Sequence, residues 1–393
     1  MGTTLVVNPG SSSKKYALYS EGVLQLEVRF EDTNTGFEIC SQKTGAHQVC
    51  EPVAQSEFDS ALLRVAEVVD SHIASCRLEA VDKIAVRVVA PGTFFQRHAL
   101  VDDDYLKELR KKESTAPLHV PTVLREILAL KERFPQVKLI AASDSAFHSE
   151  IPAKAREYSF PASDTKEFDI HRFGYHGLSV ASAVRRIHPL IGQEPERLIV
   201  CHVGNGVSVT AVKNGKSIEC SMGFSPSTGL PMGSRGGDID TAALLELMRV
   251  KNLRPGEAEM YLNRSSGLRG MSGDSDIRQL LERRAHNDAV ATHALDVFAY
   301  SVQKAIAAST VGLGGVDVLV LTATAAVRSS ELRSLVLSGV SHLGIAINND
   351  RNDLLVGKDG VISMRNSPVK VVVMRTDEMG EMAHVASEFD LRR

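Results

Sequence analysis

A chain of 393 residues is longer than one hydrophobic core ordinarily grows, so the length predicts two domains with a ligand site in the cleft between them. Hydrophobic residues at 43% and charged residues at 24% exclude a disordered chain, and a formal net charge of -3 excludes a broad basic surface for nucleic acid or anionic lipid. The expected partner is a small molecule, with no nucleic acid and no membrane.

Thr4 to Val7 reads as a strand, and Asn8-Pro9-Gly10-Ser11-Ser12-Ser13 as a dense turn signal. Lys15 to Tyr19 returns as a strand, and Glu21-Gly22 turns into a third one, Val23 to Val28. Apolar residues at helical spacing follow over Ser56 to Ser71, and Pro121 to Phe134 opens a helix with proline in its first turn. Ile84 to Val89 and Val137 to Ala141 are strands. Arg197 to Cys201, Val207 to Val212 and Lys216 to Glu219 then repeat the opening meander, turned by Val203-Gly204-Asn205-Gly206 and by Asn214-Gly215. Helices are expected over Thr241 to Val250, Asn287 to Thr310 and Ser330 to Ser338, the second stopped by Gly312-Leu313-Gly314-Gly315. Val316 to Leu321 and Val369 to Met374 are continuous apolar strands of the kind covered on both faces. The two meanders predict an α/β protein of two lobes, each a mixed sheet with flanking helices. Residues 1–150 form the first lobe, completed by a C-terminal helix over 378–393, and 151–377 form the second.

Cys40, Cys50, Cys76, Cys201 and Cys220 are odd in number and form no CxxC pair, which predicts reduced thiols rather than a disulfide framework or a zinc site. The opening Met1-Gly2-Thr3-Thr4 is not a secretory signal, Val6 breaks the myristoylation pattern, and no apolar run reaches the ~20 residues of a membrane span. Cytoplasmic placement is the expectation.

Gly10-Ser11-Ser12-Ser13 can present backbone N–H groups and hydroxyls to an anion with Lys15 nearby, or can be no more than a serine-rich hairpin turn. A second glycine turn, His202-Val203-Gly204-Asn205-Gly206, favours a polyphosphate clamp. Neither Gly215-Lys216-Ser217 nor the glycines after Gly312 meets a P-loop or dinucleotide motif in context, since a strand follows each. The run Gly223 to Asp240, dense in glycine and proline, displays Arg235 with Asp238 and Asp240 on a shaped loop. Arg87 is a second guanidinium on a strand, for which a structural ion pair is the alternative. His176 sits between Gly174 and Gly177, where tight backbone geometry can aim its ring. Asp144 and Glu378 each follow an apolar strand: Asp144 is a candidate to serve Mg²⁺ or to orient the acceptor, and Glu378 a candidate metal carboxylate, with helix capping by Thr376 or Asp377 as the alternative for the latter region. Thr322 to Arg328 is a candidate site loop on the same grounds.

Taken together, Leu5 to Tyr16, Pro117-Leu118-His119, Asp144 to His148, Phe173 to Gly177, His202 to Gly206, Ser221 to Asp240, Ser272 to Arg278 and Thr376 to Glu378 resemble the acetate kinase family, in order and along nearly the whole chain. That family shares a duplicated ribonuclease H-like, actin-type lobe with sugar kinases and heat-shock chaperone ATPases. The resemblance implies a homodimeric kinase that moves a phosphoryl group between ATP and a short-chain carboxylate, acetate first, with Mg²⁺ held by Asn8 and Glu378. It implies phosphate contacts from Ser11, Ser13, Lys15, His202, Gly204, Asn205 and Gly206, nucleotide contacts from Asp276 and Arg278, and carboxylate binding by Arg87. Asp144, His176 and Arg235 take the catalytic roles, and Val89, Leu118, Tyr175 and Pro226 form the acceptor pocket.

This chain departs from the family in carrying Tyr175 for phenylalanine, Val180 for histidine and Ala90-Pro91-Gly92 after Val89. Thr322 to Arg328 also replaces a glycine-rich adenosine loop, and its bulk is expected to narrow the adenosine pocket. Pyrophosphate as donor, propionate or butyrate as acceptor, and a catalytically weakened regulatory relative are therefore the alternatives.

Overall fold

The computed structural model describes residues 2–10, 13–33 and 36–389. The chain divides into two compact units, Met1–Ala146 with Asp377–Arg393, and Phe147–Thr376. Strands of the first unit are β1 (Thr3–Pro9), β2 (Ser13–Ser20), β3 (Val23–Thr33), β4 (Gly36–Lys43), β5 (Val49–Val53), β6 (Val81–Val88), β7 (Ala99–Leu100) and β8 (Lys138–Ser143). They form one sheet in the order β5-β4-β3-β2-β1-β6-β8-β7. The second unit holds β9 (Arg197–Val203), β10 (Val207–Lys213), β11 (Lys216–Cys220), β12 (Val318–Thr322), β13 (Gly360–Val361) and β14 (Lys370–Met374), ordered β11-β10-β9-β12-β14-β13.

The order β3-β2-β1-β6-β8 in one sheet matches β11-β10-β9-β12-β14 in the other, each an antiparallel meander followed by two parallel strands. This duplicated mixed sheet is the actin-type architecture. Parallel strands covered on both faces need apolar residues at every position, and β12 and β14 supply them, with Val318 to Leu321 and Val371 to Met374 all buried.

In the first unit, Leu5, Val7, Tyr16, Leu18, Val28 and Phe30 pack with Val65, Val69, Leu124 and Ile127. The last four come from helices Ala61–Cys76 and Val120–Arg133, whose apolar residues recur at three- and four-residue spacing. Each such fully buried side chain contributes about 1.5–3 kcal/mol. The pattern from Ser56 to Ser71 is broken at Ser60, which ends the short helix Gln55–Asp59 and precedes Ala61–Cys76 without a side-chain capping bond to it.

Two expectations are corrected. Cys40 and Cys50 form a disulfide, while Cys76, Cys201 and Cys220 are free. The cause is register: β4 and β5 pair antiparallel with Cys40 directly opposite Cys50, Cα to Cα 4.1 Å, close to the ~4.5 Å of a non-hydrogen-bonded cross-strand pair. The segment after Thr322 is not a loop but a helical turn, Thr324–Arg328, entered through Ala323 at φ 70° and ψ 170°. Among the described residues no helix is long and apolar enough to cross a membrane.

Candidate active site

In the first unit, the parallel register of β1, β6 and β8 brings their C-terminal ends level, Val7 opposite Val86 and Arg87 opposite Ala142. Asn8, Arg87 and Asp144 therefore emerge on one edge of the sheet, the edge where ligands collect in open α/β sheets. Helix Glu378–Glu388 packs on β1 and β6 and brings Glu378 to the same edge. Arg87 Nη2 donates to Asp144 Oδ2 at 3.1 Å and Nη1 to Glu378 Oε2 at 3.3 Å. Its Nε–H has no hydrogen-bond partner among the described residues. Burial opposes the guanidinium charge, yet the two carboxylates outweigh it and hold Arg87 charged above its ordinary value. The capping alternative for the 376–378 segment is met by Asp377, which accepts from the Gly380 N–H and leaves Glu378 to face Arg87.

Lys15 lies opposite Asn8 in the β1–β2 pairing. Between these strands a Cβ on Gly10 would come within 2.5 Å of the Ser13 carbonyl oxygen, so the turn requires glycine. Ser13 opens β2, and Ser11 lies outside the described residues. Val89 and Leu118 are half-buried.

The donor set suits Mg²⁺. Asn8, Asp144 and Glu378 offer hard oxygen ligands, and no cluster of three metal-ligating His, Cys, Asp or Glu side chains occurs among the described residues. A cation held by one or two carboxylates with phosphate and water completing the shell is the ordinary magnesium pattern.

In the second unit, His176 adopts the left-handed conformation, φ 61°, just ahead of helix Gly177–Arg186. Its Nδ1 lies 3.0 Å from Ser208 Oγ, and its ring stacks on His202 with centroids 4.0 Å apart. His202 Nδ1 is in turn 2.9 Å from Ser179 Oγ, which fixes both imidazoles. A Cβ built on Gly206 would meet His176 Nε2 at 2.9 Å and Arg235 Nη1 at 3.7 Å. Imidazole and guanidinium thus converge on the backbone of the β9–β10 turn, whose Gly204, Asn205 and Gly206 remain at least partly exposed.

Arg235 is positioned by its loop. Nη1 donates to the Pro226 carbonyl at 3.1 Å, and the Arg235 carbonyl accepts from the Met232 N–H. Gly267 crosses so closely that a Cβ there would lie 2.5 Å from the Arg235 carbonyl oxygen. Asp238 and Asp240 serve the scaffold: Asp238 accepts from the Gly229 N–H, and Asp240 caps helix Thr241–Lys251. Asp276 likewise caps helix Ile277–Ala285 and pairs with the exposed Arg278. Pro226 is buried, and Tyr175 is fully buried with its hydroxyl donated to the Phe224 carbonyl. Val180 lies in the core of this unit.

Ala326 and Val327 turn into the core rather than outward, so the bulk expected at an adenosine site is spent on packing, while Thr324 and Arg328 face out. The buried Arg333 anchors this turn by donating to the Ala326 carbonyl at 2.7 Å and the Val327 carbonyl at 3.2 Å. Ser179, Ser208 and Arg333 were not singled out by their sequence context. Ser208 carried a signal, being with Thr210 one of two polar residues in the largely apolar run Val207 to Val212.

A duplicated actin-type fold, with an arginine gripped by two carboxylates in one unit and an imidazole and guanidinium over a glycine turn in the other, defines a phosphotransferase. The chain belongs to the acetokinase family, whose model matches residues 3–384. It is 38% identical over 384 residues to the acetate kinase of Dictyoglomus thermophilum, covering 95% of this chain and 96% of that one. It is 36% identical over 383 residues to the acetate kinase of Caldanaerobacter subterraneus, covering 95% of each. Its fold is similar to Porphyromonas gingivalis acetate kinase, with TM-score 0.86 and 29% identity over 98% of this chain and 99% of that one. A propionate kinase from Francisella tularensis aligns with TM-score 0.89 and 28% identity over 99% and 100% of the two chains.

Proposed function

We propose that this kinase transfers a phosphoryl group reversibly from ATP to a short-chain carboxylate, acetate first, giving an acyl phosphate and ADP. The observation that carries the reading is Arg87, a charged guanidinium held by Asp144 and Glu378 with its Nε–H unspent, on the strand edge where ligands collect. A carboxylate substrate, with a pKa near 4, is already ionised at neutral pH and needs no general base. Asp144, already engaged by Arg87, acts by positioning. The carboxylate oxygen attacks the γ-phosphorus as the bond to the β-bridging oxygen breaks, and the electron pair leaves on ADP. Mg²⁺, when bound through Asn8 and Glu378, supplies charge neutralisation on the phosphates. His176 and Arg235 serve the equatorial oxygens of the transferring group. Lys15, Ser11, Ser13, His202, Gly204, Asn205 and Gly206 hold the phosphate chain, and Asp276 with Arg278 holds the nucleotide. Val89, Leu118 and Pro226 bound the acceptor.

Pyrophosphate is the second reading, favoured by Ala323 and the outward Arg328 at the turn that follows β12. A hydroxamate assay with acetate, Mg²⁺ and either donor tests both. Turnover with pyrophosphate alone, unaffected by adenosine, would replace ATP, and no turnover with either would leave a regulatory relative. Propionate and butyrate in the same assay rank the acceptors.

We assign a homodimer in the cytoplasm. Helix Thr241–Lys251 exposes Leu245 and Val250 and buries none of its residues, an apolar surface that a second copy would cover. A molar mass in solution equal to that of one chain would refute the dimer.

A further inference from the structure

We infer that Tyr175 and Tyr158 are positioning residues that hold the Arg235 loop in register with His176, and that the Tyr175 side chain acts on the reaction through this loop rather than by touching the acceptor. The inference rests on the roles just proposed for His176 and Arg235. Both polar groups of the Phe224 backbone are held by phenols: its N–H donates to Tyr158 Oη at 3.0 Å, and its carbonyl accepts from Tyr175 Oη at 2.7 Å. Two residues further on, the Pro226 carbonyl accepts from Arg235 Nη1. The grip on Phe224 therefore fixes the oxygen that orients the guanidinium.

The clamp is itself held from outside. Tyr175 is 0% exposed, and its own carbonyl lies 2.9 Å from His148 Nε2, whose Nδ1 lies 2.8 Å from Ser217 Oγ. Neither end of the Tyr175 residue can shift without breaking a hydrogen bond, and His176 is the next residue in the chain. Tyr158 is braced by the Arg172 guanidinium, 4.6 Å over its ring. The close approach of Tyr158 requires glycine at 223, where a Cβ would lie 2.2 Å from its hydroxyl. A phenol suits such a clamp because it is rigid through two torsions, and its hydroxyl can accept from one peptide group or donate to another.

The test is kinetic, using Tyr175→Phe, Tyr158→Phe and the double variant of the full chain, each checked for folding by far-ultraviolet circular dichroism. Loss of one such hydrogen bond should lower kcat about 2-fold to 10-fold, with KM for acetate and for MgATP changed less than 2-fold. The propionate-to-acetate ratio of kcat/KM should stay at the wild-type value, and the double variant should lose less than the product of the single losses, because both phenols act on one peptide. In an Arg235→Ala background, Tyr175→Phe should have no further effect on kcat. A wild-type kcat for Tyr175→Phe beside a crippled Arg235→Ala would overturn the clamp alone. A shifted propionate-to-acetate ratio would also overturn it, returning Tyr175 to the acceptor pocket. A wild-type kcat for Arg235→Ala would instead overturn the role given to Arg235. Should Tyr175→Phe fail to fold, the half-buried Tyr158→Phe carries the same comparison.

Discussion

Replacing Ala323 by glycine should stabilise the Phe147–Thr376 unit. Ala323 joins β12 to the turn Thr324–Arg328 at φ 70° and ψ 170°, a region that only glycine occupies without strain. Holding a residue with a Cβ there costs about 1–3 kcal/mol. Glycine relieves that cost but gives the unfolded chain more freedom, a loss of about 0.4–1 kcal/mol. The expected net gain is ~1 kcal/mol, or about 2–4 °C in Tm for a unit of this size. Scanning calorimetry reads the shift, and peptide circular dichroism at 222 nm provides a second measure of the same transition. The methyl group also lies beside Gly204, since a Cβ built on that glycine would sit 3.4 Å from the Ala323 Cβ. Its removal should lower KM for MgATP if the adenosine end of the substrate uses this space. A Tm equal to or below wild type would show that the strain is absent and the reasoning wrong.

Three further outcomes follow from the same geometry. Arg235→Ala should lower kcat by roughly a hundred- to thousand-fold while leaving the circular dichroism spectrum intact, and turnover within a factor of a few of wild type would refute its role. Val89→Ala should raise the propionate-to-acetate ratio of kcat/KM, because a methylene in a fitted apolar pocket is worth about 1–3 kcal/mol, and an unchanged ratio places the acceptor elsewhere. The hydrogen bond from Arg197 holds the Asp317 carboxyl below its ordinary value, so its contribution to stability is complete above about pH 5 and is lost as the pH falls through the folded value. Asp317→Asn should therefore lower Tm at pH 7, with the difference shrinking towards pH 3. A difference independent of pH would mean that the ionised pair contributes nothing.

The repeated meander was legible because turn residues recur at matching places, at Asn8 to Ser13 and again at Val203 to Gly206. The apolar runs ending at Leu321 and Met374 were legible as doubly covered strands. β4 and β5 were not, since Gly36–Lys43 and Val49–Val53 form the outer end of the sheet and expose most of their side chains, leaving a weak alternation. The Cys40–Cys50 bond depended on their register, which spacing alone does not state. Arg87 was visible as a candidate with a structural ion pair as its alternative, and the structure shows that pairing with Asp144 and Glu378. What singles it out is the remaining N–H, a property of three-dimensional placement. Ala323 could not be read at all, because alanine gives no hint of a backbone conformation it normally avoids.

The chain leaves its first unit at Ala146 and returns to it only at Asp377. On a ribosome, which delivers residues in order, the uninterrupted Phe147–Thr376 unit is fully emerged while the earlier one still lacks its last helix. Until that helix arrives, β1 and β6 lack part of their cover and Arg87 has one of its two carboxylates. The glycine turn between β9 and β10 is thus synthesised well before Arg87 can gain its second carboxylate. The order of synthesis makes Glu378 the last of the Arg87, Asp144 and Glu378 group to arrive, and a chain released before that residue would carry one finished unit and one unfinished one.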